Sequence, residues 1–123
     1  MNSWPQPVAG EPSCGTPHKK YNLALDTDPA STAVQTLDLS ALVPVGTWAV
    51  ALNLTLNSTT AGDYFRICDS GNTEIYGQAI TQVANQYQGG YCIAPVGANR
   101  YIYWQVNNAR VTVGRIYLEF YFI

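Results

Sequence analysis

Apolar and polar residues alternate from Tyr21 to the last residue of the chain, with the period of two that β-strands require. The clearest run is "TWAVALNLTLN", in which one side carries Trp48, Val50, Leu52, Leu54 and Leu56. The other side of this run carries Ala, Asn and Thr. Such a pattern is typical of an antiparallel strand with one buried face, and no window of the chain fits the apolar face of a helix.

Turn-forming clusters such as "STTAGD" and "DSGN" separate the alternating runs. We count about eight strands at intervals of roughly 8–12 residues, which is typical of a sandwich or small barrel. The sequence therefore predicts an all-β protein: an antiparallel β-sandwich of about eight strands, in the jelly-roll form that best fits a long last strand. This domain is predicted to span residues 21–123.

The chain closes on "RVTVGRIYLEFYFI", which we predict to be the last strand. Regular alternation places Ile116, Leu118, Phe120 and Phe122 on its core face. We expect the core to include Trp48, Leu52, Leu54, Ile116, Leu118 and Phe120. The opposite face carries Tyr117, Glu119 and Tyr121, and its Tyr rings offer contact area with a polar tip. We predict that copies of the chain associate through this second face.

Residues 1–20 form a distinct segment that contains four of the seven prolines. Proline fixes φ and lacks a ladder N–H, so we predict an extended arm outside the sandwich. Trp4 has no core to join there, and we interpret it as an anchor for a pocket of a partner. The residues of the arm predicted to contact that partner are Trp4, Pro5, Pro7, Pro12, Cys14, His18, Lys19 and Lys20.

Composition limits the kinds of partner. Hydrophobic residues make up 47% of the chain and charged residues only 11%, so the core is adequate and uncharged polar side chains cover most of the surface. Such a surface is poorly defended against association. Six basic residues and a net charge of −2 give no phosphate-tracking stripe, so no nucleic acid is expected. No apolar run is long enough for a membrane helix, and no membrane partner is expected.

Candidate chemistry is sparse. The single histidine, His18, lies on the arm, where no rigid scaffold holds it as a catalytic base. The spacing from Cys14 to His18 suits zinc, but a second pair of ligands is missing. Asp26 and Asp28 favour turn capping over Ca²⁺ binding. We therefore expect no enzyme activity, no catalytic residue, no metal and no cofactor.

The three cysteines are an odd number, which favours reduced thiols. A disulfide bridge between Cys68 and Cys92, on neighbouring strands, is the alternative.

Two segments carry a resemblance. The first segment is "LSALVPVGTWAVALNLTLNSTTAGDYFRI", and its motif residues are Val43-Pro44-x-Gly46, Ala49-Val50, Leu52, Leu54, Thr60-Ala61-Gly62 and Tyr64. The second segment is "TQVANQYQGGYCIAP", and its motif is Ala84-Asn85-Gln86-Tyr87. Over roughly residues 35–122 the chain resembles the small jelly-roll proteins of tailed bacteriophage virions. The shared motifs mark the framework of the fold, and the arm lies outside them.

Small stand-alone members of that group are capsid decoration (cement) proteins, so the resemblance implies a structural protein of the virion. Its expected partners are the major capsid protein and further copies of itself, in a trimer on the capsid surface. The protein would be made in the host cytoplasm. The alternative is a tail-associated receptor- or glycan-binding module, in which exposed tyrosines such as Tyr101 and Tyr103 stack on sugars.

Overall fold

The computed structural model describes residues 17–123, which form eight β-strands. The strands are β1 (Pro17–Thr27), β2 (Gln35–Asp38), β3 (Ala49–Ser58), β4 (Tyr64–Cys68), β5 (Ile75–Ile80), β6 (Gln88–Pro95), β7 (Tyr101–Val106) and β8 (Val111–Phe122). Among these residues there is no helix that is long and apolar enough to cross a membrane.

The strands form two four-stranded antiparallel sheets, sheet A in the order β1-β8-β3-β6 and sheet B in the order β2-β7-β4-β5. The pairs are nested: the first strand pairs with the last, the second with the seventh, the third with the sixth and the fourth with the fifth. The prediction of an all-β antiparallel sandwich of about eight strands is confirmed.

The core lies between the sheets and follows the predicted alternation over most of its area. Leu52, Leu54, Ile116 and Leu118 are fully buried, as predicted. From sheet B, the Phe65 ring stacks on the Trp104 ring with centroids 5.5 Å apart. Buried side chains of this kind each contribute roughly 1.5–3 kcal/mol to folding, which explains why the two sheets stay together.

A β-bulge in β8 reverses the alternation near the end of the chain. Leu52 of β3 lies opposite Leu118, but its neighbour Ala51 lies opposite Phe120, so Glu119 is an extra residue. Beyond the bulge, Phe120 leaves the core side and is only half-buried, whereas Tyr121 packs against the core. The predicted burial of Phe120 and Phe122 in the core and the predicted outward position of Tyr121 are therefore wrong.

Trp48 is also not in the core: its residue surface is 49% exposed. Strand β3 begins one residue later, so Trp48 lies just before the first residue of this strand. Its ring rests against Phe122, with centroids 5.8 Å apart. The predicted burial of Trp48 is wrong because period-two alternation assigns faces within a strand and does not locate the residue at which the strand begins.

The boundary between arm and sandwich lies earlier than predicted. Strand β1 begins at Pro17, which pairs with Phe122, and His18 pairs with Tyr121. The two rings of the second pair stack at 5.0 Å. His18, Lys19 and Lys20 therefore belong to the sandwich, because β1 is an edge strand that tolerates polar residues and a proline at its start.

The sandwich is closed on one side by a close approach of β5 and β6. A Cβ atom added to Gly77 would collide with the Cβ of Cys92, and one added to Gly90 would lie 2.5 Å from the carbonyl oxygen of Gln78. Only glycine permits backbones to approach so closely. The other side, between β1 and β2, has no such contact.

Candidate functional site

The outer face of sheet A carries several exposed or half-exposed apolar side chains. Strand alternation places Leu23 of β1, Tyr117, Phe120 and Phe122 of β8, and Tyr91 and Ile93 of β6 on it. Leu23 is 50% exposed, Tyr91 54% and Ile93 56%. Exposed apolar side chains that adjoin one another in this way mark interaction sites.

Two alanines show how this surface is built. Ala49 and Ala51 of β3 point to the outer face of sheet A, yet they are 2% and 1% exposed. Their partners across the sheet are Phe122 and Phe120 on one side, and Pro95 and Ile93 on the other. These four larger side chains cover both alanines, so this part of the outer face is a continuous apolar surface.

The other end of the same face is polar. Arg115 of β8 forms a salt bridge with Asp26 of β1 at 3.3 Å, and its guanidinium lies 5.6 Å from the centre of the Tyr87 ring. The carboxylate of Asp26 raises the pKa of Arg115 through a hydrogen bond. The apolar area is thus confined to the half of the face near Phe122.

The structure brings together only part of the predicted contact residues. Tyr117 lies on the outer face of sheet A, where its ring stacks on Tyr21 with centroids 6.1 Å apart. Glu119 points the same way and accepts a 3.4 Å hydrogen bond from Asn53. Tyr121 does not belong to the face, since it packs against the core. The predicted arm residues outside the described part of the chain are Trp4, Pro5, Pro7, Pro12 and Cys14.

Sequence reasoning missed Ile93, Tyr91 and Leu23 as members of this face. The signal was present in part, because Ile93 and Tyr91 alternate with the buried Cys92. Two adjacent glycines precede Tyr91, and from sequence alone this segment is equally consistent with one strand or with two short ones.

A second candidate site is a cleft of about 370 Å³ at one end of the sandwich. Its aromatic lining is Tyr76 of β5 and Tyr101 and Tyr103 of β7, and its remaining lining includes Cys68, Asp69, Ser70, Pro95, Val96, Gly97 and Asn99. All three tyrosines are half-buried, so a ring edge or face of each is available. The two tyrosines predicted for sugar stacking are therefore neighbours in one cleft.

Hydrogen bonds hold both rims of this cleft. On one rim Asp69 accepts bonds from the backbone N–H groups of Thr73 at 2.6 Å and Glu74 at 3.1 Å. The Thr73 hydroxyl, which also donates to this carboxylate, is the main cause that lowers the pKa of Asp69. On the other rim Asn99 accepts from the Tyr101 N–H at 3.2 Å, and the Arg100 N–H donates to Gly97 at 2.9 Å. The cleft is therefore preorganised.

A buried charge cluster surrounds Asp63, at the end of the turn before β4. Its side chain is fully buried and accepts two 2.8 Å hydrogen bonds from Nε and Nη2 of Arg110 and one of 2.9 Å from Asn107. The Ser58 hydroxyl donates a further bond. The Arg110 bonds lower the pKa of Asp63 to about 2, although burial opposes that shift. The cluster joins three chain segments and has a structural role.

The thiols of Cys68 and Cys92 are both buried and unbonded, so the alternative of a bridge between them is wrong. Burial raises the pKa of Cys92 to about 12. Within residues 17–123 no group of three or more His, Cys, Asp or Glu side chains is placed to hold a metal ion.

Comparison of the sequence with models of known protein families gave no match, and no curated protein matched it either.

Proposed function

We propose that this protein is a structural protein of a bacteriophage virion, a decoration (cement) protein that binds the assembled shell and stabilises it. The apolar outer face of sheet A carries this proposal. A sandwich that keeps Leu23, Tyr91 and Ile93 half exposed on one face is suited to cover another protein surface. The framework resemblance to small virion proteins supplies the class of partner, namely the major capsid protein.

We further propose that the sandwich is a jelly roll. The nested pairing of first with last, second with seventh, third with sixth and fourth with fifth strand supports this assignment. Folding an eight-stranded antiparallel hairpin on itself into two sheets produces such nested pairs.

The proposed assembly is a homotrimer on the capsid surface. The four strands of sheet A are 8–12 residues long and about 4.8 Å apart, so its outer face covers roughly 650 Å² in projection. A stable interface needs about 800 Å² per partner, so this face alone makes a weak contact. Several copies acting together gain by effective concentration, which favours an oligomer over a single attached chain.

The test compares two exposed isoleucines on opposite sheets. Ile93→Lys places a charge on the outer face of sheet A, where Ile93 is 56% exposed. The control, Ile75→Lys, makes the same change on sheet B, where Ile75 is 49% exposed. Sedimentation of each variant with purified shells should show at least tenfold weaker attachment for Ile93→Lys and unchanged attachment for the control. Equal attachment of both variants would refute this face as the contact.

The second candidate function is a tail-associated receptor- or glycan-binding module. The cleft lined by Tyr101 and Tyr103 favours it, because sugar-binding sites present aromatic rings beside polar groups. Copy number per purified particle separates the two functions. Copies on the order of hundreds fit a repeated shell position, and a handful fits the tail.

A further inference from the structure

The tyrosine-lined cleft is suited to a kind of ligand that the same chain contains. Grooves lined by aromatic rings bind proline-rich segments in the polyproline II conformation, because that backbone is already extended and loses little entropy on binding. Residues 1–16 contain "WPQP" and a further proline, Pro12. We propose that the cleft between Tyr76, Tyr101 and Tyr103 binds the proline-rich segment around Trp4–Pro7 of its own chain.

The register of sheet A places the start of this segment near the cleft. Pro17 lies opposite Phe122, Phe122 opposite Ala49, and Ala49 opposite Pro95, which lines the cleft. These residues form one row across the end of the sheet, and three strand spacings make it about 14 Å long. Adding about 10 Å for the step between the sheets gives roughly 24 Å from Pro17 to the cleft.

The chain is long enough to cover that distance. The nine residues between Pro7 and Pro17 span about 28 Å at about 3.1 Å each in the extended form. The surface along the route is apolar: Trp48 is 49% exposed, Val45 76% and Ile123 40%. A tethered segment of this length has an effective concentration on the order of millimolar, so even a shallow cleft would be substantially occupied.

The charge of the cleft lining also favours the proline-rich segment as its ligand. Among residues 17–123, Asp69 is the one charged side chain that lines the cleft, and its oxygens accept bonds from Thr73 and Glu74. Because the described lining residues include no lysine or arginine, the Asp69 carboxylate would repel an anionic ligand such as a phosphate or an acidic sugar. Residues 1–16 carry a single charged side chain, Glu11, outside the "WPQP" stretch. The side-chain amide of Asn99 and the tyrosine hydroxyls can donate to the backbone carbonyls of a proline-rich segment.

The experiment uses a full-length Ser3→Cys, Cys14→Ser variant with a nitroxide at position 3, directly before Trp4. The buried thiols of Cys68 and Cys92 should not react, and mass spectrometry of the product counts the labels. In ¹⁵N-labelled protein we expect strong paramagnetic broadening of the Tyr76, Asn99 and Tyr101 amides. The Thr112 amide, near the opposite end of β8, serves as the reference and should stay sharp.

Variants test the contact from both sides. Replacement of Trp4, Pro5 and Pro7 by alanine should reduce the broadening in the cleft at least tenfold. Tyr103→Leu should reduce the broadening to the same extent. If Tyr103→Leu fails to fold, Ser70→Trp replaces it in the test. Ser70 is exposed on the rim, so a tryptophan there fills the cleft without removing packing and should also reduce the broadening. Tyr91→Leu removes an exposed tyrosine from sheet A and should leave the broadening unchanged.

A mixture of spin-labelled unenriched protein and ¹⁵N-labelled Cys14→Ser protein tests whether the contact is within one chain. If the cleft amides stay sharp in this mixture, the contact lies within one chain and the proposal is supported. If they broaden as strongly as in the chain that carries both the spin label and ¹⁵N, the segment binds a neighbouring copy and the proposal is overturned. Sharp cleft amides in the labelled full chain would also overturn it. The proposal would also be overturned if glucose, galactose or N-acetylglucosamine shifted the resonances of the cleft amides while the alanine variants left the broadening unchanged.

Discussion

Replacement of Asp63 by asparagine tests the role of the buried charge cluster most directly. Asparagine keeps the shape of the side chain but turns one oxygen into a donor, which then faces the donors of Arg110, Asn107 and Ser58. Hydrogen bonds to a charged group contribute about 1.5–3 kcal/mol each, and breaking a buried pair costs about 3–5 kcal/mol. Because the Arg110 side chain is 44% exposed and can be hydrated, we expect a loss of about 3 kcal/mol at pH 7.

The same variant predicts a change in acid stability. The pKa of Asp63 falls from 3.8 to about 2 on folding. A group whose pKa is lowered in the folded state stabilises the protein above its unfolded pKa and loses that contribution as the pH falls through the folded pKa. At about 1.4 kcal/mol per pH unit, the wild-type protein should lose about 2.5 kcal/mol between about pH 5 and pH 1 that the variant never had.

Urea unfolding followed by tryptophan fluorescence, at several pH values from 7 to about 2.5, measures both effects. The stability difference between wild type and Asp63→Asn should be largest near neutral pH and shrink in acid. Other carboxylates titrate equally in both proteins, so the difference isolates Asp63. A difference below about 1 kcal/mol at pH 7, or one that stays constant down to pH 2.5, would refute the reasoning.

Three further predictions concern packing and thiols. Gly77→Ala should destabilise the fold by about 1–3 kcal/mol in urea unfolding, because the new methyl group meets Cys92; an unchanged midpoint would contradict the close approach of β5 and β6. Leu118→Ala should cost about 2–5 kcal/mol and Phe120→Ala clearly less, since Leu118 is fully buried and Phe120 is only half-buried; the reverse order would argue against the bulge. The thiols of Cys68 and Cys92 should react with Ellman's reagent at pH 8 only after unfolding, because both are buried and the pKa of Cys92 is about 12; fast reaction of the native protein at either thiol would contradict this.

The local pattern of the sequence was sufficient for the kind of fold. Period-two alternation and turn clusters predicted an all-β sandwich of about eight strands, and the alternation located Leu52, Leu54, Ile116 and Leu118 in its core. These inferences succeed because each depends on neighbouring residues of one strand, whose side chains point to opposite faces wherever the backbone is extended. Tyr117 and Glu119 lie on the predicted outer face for the same reason.

The tertiary structure decided the features that depend on which strands meet. The extra residue at Glu119 is visible only in the pairing of β8 with β3, and it moved Phe120 outward and Tyr121 inward. The ion pair of Asp63 with Arg110 joins residues 47 positions apart. The cleft likewise exists only because the chain brings Tyr76 beside Tyr101 and Tyr103. Such contacts are set by register and by the extent of the facing sheet, and a one-dimensional pattern of apolar and polar residues contains neither.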